Sequence, residues 1–212
     1  MQKQLTLIVF TLTLGGCASQ YSTSAKEAAN DISSNESTAV FTVPPAACLG
    51  NTELPPSLAG QFTPVSDPSL LANATAPAGE GKLCQGQVYQ ANDGEKITVY
   101  RAWNSRNSYT RLGSWWAANK PAGKTSDYQT NYEICYIWSP LDKMVQCDLK
   151  PGTKVVIGTG QSTFCAPPPP AKYPSTYILE VSAKKQVYIE NTADVVTNCR
   201  DFNNEFSWAA AQ

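Results

Sequence analysis

The chain has 212 residues, 16 Lys plus Arg against 17 Asp plus Glu, and no His. A formal net charge of −1, with basic residues never more than two in a row, leaves no electrostatic footprint for nucleic acid. The lack of His excludes Ser-His-Asp and Cys-His catalysis and any zinc site built on imidazole.

The chain opens on Met1-Gln2-Lys3-Gln4, a short basic stretch, followed by the apolar run LTLIVFTLTLGG. That run has the length of a signal-peptide core and is short for a spanning helix. It ends in Leu14-Gly15-Gly16-Cys17, small residues leading into a thiol. This stretch resembles a bacterial lipobox. The resemblance implies that residues 1–16 are a lipoprotein signal peptide, that Cys17 carries the lipid, and that the membrane is a partner through that anchor. Each buried methylene of an acyl chain contributes about 0.8 kcal/mol, so several chains together hold stably. Ala18, where an Asp would favour inner-membrane retention, implies the outer membrane, with the domain either periplasmic or surface-exposed.

Residues 17–46 are rich in Ser, Thr, Ala and Asn and read as a flexible tether. Residues 47–83 are broken by repeated Pro and Gly, with short helical turns at Pro56-Ser57-Leu58 and Pro68-Ser69-Leu70, and Cys48 staples this segment onto the globular domain. Residues 84–212 read as that domain, and it is strand-rich. GQVYQ and EKITVYRAW alternate as strands do, with Asn92-Asp93-Gly94 a turn between them. Asn104 to Arg111 is polar and reads as a loop, and LGSWWA resumes as a short strand ended by Pro121-Ala122-Gly123. SDYQTNYEI reads as a helix capped by Ser126, with Tyr128 and Tyr132 on one face. YEICYIW and KMVQCDL, separated by Ser139-Pro140-Leu141-Asp142, read as a hairpin. LKPGTKVVIGTGQS, YILEV and KQVYIEN supply further strands, and Ala166 to Pro170 is a polyproline-like spacer. Roughly seven or eight short strands with one or two small helices make an α+β domain braced by disulfides.

Besides Cys17, the cysteines are Cys48, Cys84, Cys135, Cys147, Cys165 and Cys199. An even number in an exported chain points to disulfides whose connectivity the sequence leaves open. In a simple hairpin Cys135 and Cys147 fall on opposite faces, so each is expected to find a distant partner. With no CxxC and no His, no metal is expected.

Candidate chemistry gathers in Thr98-Val99-Tyr100-Arg101-Ala102-Trp103 and Leu112-Gly113-Ser114-Trp115-Trp116. An Arg at a strand end clamps a diphosphate in two-pronged fashion, which Lys does not. Adjacent Trp residues on a strand face opposite ways, so one of them needs a cover outside the core. These residues resemble the ADP-ribosyltransferase-like superfamily, which includes bacterial NAD glycohydrolase toxins. That family runs from a Tyr-Arg strand through a Gly-Ser/Thr-aromatic strand and a helix to a later strand bearing an acid or amide. The resemblance covers roughly Ile97 to Ile189 and implies split sheets and NAD as substrate. Arg101, Ser114 and Trp115 would then be the NAD-binding residues. Neither Glu-x-Glu nor Gln-x-Glu occurs. The candidates for the catalytic group are Glu180 and Gln161, with Glu190 a further acid. The competing expectation is a non-enzymatic surface lipoprotein binding a protein or glycan through exposed aromatic residues.

Overall fold

The structure is a computed structural model, and it describes residues 47–166 and 176–202. The stretches read as signal peptide and tether, Cys17 and the Pro167–Pro170 stretch lie outside the described residues. The first segment is a working part of the domain. A 3-10 turn at Pro56–Leu58 buries Leu58, strand β1 (Phe62–Pro64) comes next, and helix α1 spans Pro68–Ala74. Asp67 caps α1 by accepting from Leu70 N at 3.1 Å, and Pro68 fits the first turn, where its missing N–H costs nothing. Both helical turns expected from Pro-Ser-Leu therefore form.

Strands β2 (Leu83–Ala91), β3 (Thr98–Trp103), β4 (Trp115–Ala117), β5 (Lys143–Leu149), β6 (Lys154–Gly160), β9 (Lys185–Tyr188) and β10 (Val196–Phe202) join β1 in one sheet. Its eight strands run in the order β1-β2-β6-β9-β4-β3-β5-β10. Strands β7 (Thr163–Cys165) and β8 (Tyr177–Leu179) pair separately. Helices α2 (Thr125–Asn131) and α3 (Thr192–Val195) are short, so the described residues hold three brief α-helices where one or two were expected. This is a strand-rich, disulfide-braced α+β domain.

The sheet is divided near its middle. Strands β3 and β4 share one registered pair, Tyr100↔Ala117, whereas β3 and β5 share six, from Thr98↔Asp148 to Trp103↔Lys143. Five strands, β1 to β4 in spatial order, thus meet three, β3, β5 and β10, across a narrow junction. The main core lies along one face and includes Ile97, Val99, Trp116, Val145, Val155, Ile157, Val187 and Ile189, each at most 2 % exposed. On the opposite face Leu70, Ala74, Leu83, Val88 and Val156 cluster under α1, and Ala102, Tyr128, Leu141 and Met144 cluster under α2.

Two expectations are corrected. The Asn92-Asp93-Gly94 turn exists, with Gly94 at φ +79°, but β2 pairs with β1 and β6 rather than with β3. The hairpin of YEICYIW on KMVQCDL does not form. Residues 136–138 form a turn, and β5 takes its partners from β3 and β10. Pro140 and Leu141, the latter at φ +51°, carry the chain around without a ladder.

The disulfides are Cys48–Cys84, Cys135–Cys165 and Cys147–Cys199. Cys135 and Cys147 do find distant partners, although the hairpin that argued for it is absent. The first bridge ties the segment before β1 to β2, the third ties β5 to β10, and the second fastens the turn after α2 to β7. A Cys135→Ser/Cys165→Ser double variant should lose about 2–4 kcal/mol of stability in denaturant unfolding, the usual worth of a bridge closing a loop of this size.

Candidate functional site

Arg101 sits where β3 and β4 part. Beyond the single Tyr100↔Ala117 pair its guanidinium takes over the junction, donating from Nε to Thr110 O at 2.6 Å and from Nη1 to Trp115 O at 2.5 Å. Gly113 makes the room: a Cβ there would lie 2.5 Å from Arg101 Nη2 and 2.8 Å from Cζ. The Gly of LGSWW is therefore required by the Arg of TVYRAW. Among the described residues no carboxylate pairs with Arg101, and burial lowers its pKa to about 10. Two of the five guanidinium N–H groups are engaged by these carbonyls among the described residues.

Beside it lies a cavity of about 330 Å³ with Arg101, Trp103, Trp115, Trp116, Tyr128, Tyr132 and Trp138 among its walls. The adjacent tryptophans do divide between the faces. Trp116 enters the main core, its Nε1 donating to Gly113 O at 2.7 Å. Trp115 packs on the cross-strand Tyr188, with ring centroids 4.9 Å apart, so part of its cover comes from the sheet itself.

The polar wall of the cavity comes from α2 and β9. Helix α2 has no side-chain cap, since Lys124 rather than Ser126 occupies that position. Tyr128 and Tyr132, one turn apart, stack at 4.2 Å, and burial raises the pKa of both. The helix ends at Asn131 with Tyr132 as its C-cap, and Glu133, the next residue, adopts φ +49°, the left-handed conformation usually given to Gly just past a helix C-terminus. Glu133 is 4 % exposed. Its Oε2 accepts from Gln186 Nε2 at 2.5 Å, and its Oε1 is buried with no hydrogen-bond partner among the described residues. Gly160 leaves the space, because a Cβ there would fall 1.8 Å from Oε2. Burial raises the Glu133 pKa to about 8, against the lowering effect of Gln186 and of nearby Ser182, whose Oγ donates to Asn131 O at 2.7 Å.

The other sequence candidates lie elsewhere. Ser114 does not line the cavity; its carbonyl accepts from Ile189 N at 2.9 Å. Gln161 is consumed locally: its Oε1 accepts from Ser162 N and its Nε2 donates to Ala76 O. Glu180 is exposed after β8, and Glu190 accepts from Asn73. Of the named residues, the cavity brings together Arg101 and Trp115, and it adds Glu133 and Gln186, which sequence reasoning missed. Gln186 lies on a strand that was foreseen, in KQVYIEN, so its alternation was open to inspection. Glu133 carried no signal, because its position depends on how α2 ends. Among the described residues no three His, Cys, Asp or Glu side chains gather in metal-binding range. No protein-family model matches the chain, and neither does any curated protein or solved structure.

The unfolded chain ionises Glu133 near the ordinary carboxylate value of 4.5 and the folded chain near 8, so the folded state binds the extra proton between them. That stabilisation is complete below the lower value and is lost as pH rises toward the upper one, at up to about 1.4 kcal/mol per pH unit. Denaturant midpoints measured across this range should fall with pH in the wild type, and Glu133→Gln should flatten the slope.

Proposed function

We propose that the cavity binds NAD and that the domain is a lipid-anchored NAD glycohydrolase or mono-ADP-ribosyltransferase. The observation that carries this reading is Arg101: a half-buried arginine, without a carboxylate partner among the described residues, beside an aromatic cavity. Such a group favours a diphosphate, which takes two parallel hydrogen bonds from one guanidinium. The Trp115 and Tyr132 rings offer flat apolar surface to the nicotinamide. Gln186 stands on a late strand, where the resembling family keeps its acid or amide. The divided sheet supports the same reading, since the cavity adjoins the junction of its two parts. Ser114, off the cavity, has no role in it.

A second reading is favoured by exposed rings on the turn that ends in the cavity-lining Trp138. Tyr136 and Trp138 are 56 % and 55 % exposed, and Tyr136 stacks on Tyr177 at 4.7 Å. Flat exposed rings of this kind hold sugars or protein surfaces.

Incubation of the purified chain with NAD, following nicotinamide release and binding heat, separates the two. The NAD reading expects binding and turnover, and Arg101→Lys should weaken NAD binding by about 10- to 100-fold, the worth of hydrogen bonds to a charged group. Folded wild type that neither binds nor cleaves NAD, yet is retained on a glycan or protein surface, decides for the second reading. For the anchor, Cys17→Ser should abolish palmitate labelling and move the protein out of the membrane fraction.

A further inference from the structure

We infer that Glu133 is the proton acceptor for the attacking water in NAD hydrolysis at this cavity, an acid supplied by the turn after α2 in place of the acidic strand motif the sequence lacks. This rests on the NAD reading above and assigns it a catalytic residue.

Three features of Glu133 go beyond what packing needs. It is 4 % exposed while one of its oxygens has no partner among the described residues, an arrangement that costs stability. It holds a left-handed backbone at φ +49°, a second cost that Gly would relieve. Gly160 is bare where any side chain would strike its carboxyl group, so the site is shaped around an acid. Strain and unsatisfied polarity at one cavity-lining residue mark a working group more than a structural one. Gln186 fixes the carboxyl by donating to Oε2, which leaves Oε1 as the atom that receives a proton.

The step balances with water as the only co-reactant. The water oxygen bonds to C1′ of the nicotinamide ribose, and the C1′–N bond breaks with its electron pair going to the ring nitrogen. Neutral nicotinamide departs, and the water proton passes to ionised Glu133 Oε1 and then to solvent. The titratable groups that line the cavity with Glu133 are Tyr128 on α2 and Tyr132 at its C-cap, Arg101 on β3, and Glu80 and Lys82 on the stretch before β2; Gly160 from β6, Thr163 from β7 and Gln186 from β9 do not titrate. An acid with a pKa raised to about 8 is poised near working pH, where a general base is most effective.

Glu133→Gln keeps shape and volume and replaces the buried acid by a neutral amide. It should bind NAD within about threefold of wild type while turnover falls by about 100-fold or more, the usual worth of a general base. Wild-type turnover should rise with pH through about 8, and the variant's residual rate should be flat. A variant that turns over within about threefold of wild type, or keeps its pH profile, overturns the assignment while leaving NAD binding intact. Should melting show that the variant is unfolded, the wild-type profile decides alone, and a flat profile across the range overturns the assignment. A folded wild type that neither binds nor cleaves NAD overturns this inference together with the reading beneath it.

Discussion

One guanidinium holds the two parts of the sheet in register. An eight-stranded sheet would ordinarily be continuous through its hydrogen bonds, yet here β3 and β4 share one residue pair at its centre. The main-chain carbonyl of Trp115, where β4 parts from β3, and that of Thr110, in the 3-10 turn between the two strands, both accept from the Arg101 side chain. A cation thereby replaces a stretch of ladder, and it carries a full charge into a mostly apolar place. The bareness of Gly113, the parting of the strands and the cavity beside them all result from accommodating that group.

The cavity is electrically unusual because its charged groups are not neutralised against each other. Arg101 finds carbonyl dipoles instead of a carboxylate, and Glu133 finds an amide instead of a cation among the described residues. Burial pushes each toward its neutral form, lowering the one pKa and raising the other. A site built this way keeps its electrostatic interactions in reserve for whatever enters it, at a cost in stability that a salt bridge would have reduced.

Local pattern was legible in the sequence wherever it was governed by neighbours in the chain. The Pro-Ser-Leu turns, the alternating runs that became β2, β3, β6 and β9, the Trp-Trp division between faces, and the cysteine parity all rest on short-range rules. Pairing was less legible. The Asn-Asp-Gly turn announces a reversal but does not say which strand will lie alongside, and β1 was hidden in a segment full of Pro. At the site, Arg101 and Trp115 stood out by residue type, whereas Glu133 became visible only when the chain folded around Gly160 and Gln186. The same holds for charge. Lys120 and Lys124 are distant in sequence from Lys184 and Lys185, yet the four line one groove of about 520 Å³ on the far side of Tyr128 and Tyr132.

The Cys135–Cys165 bridge has a consequence for where such a protein can be competent. It joins the turn that carries Glu133 and Ile134 to the strand that carries Thr163, and all three residues are walls of the same cavity. That turn has no ladder of its own to hold it, so its position relies on the covalent link. A cytosol that keeps thiols reduced would leave the polar wall unfastened while the sheet behind it was already formed. Fastening of the polar wall is then a separate event from formation of the sheet, and it depends on oxidation of this one pair.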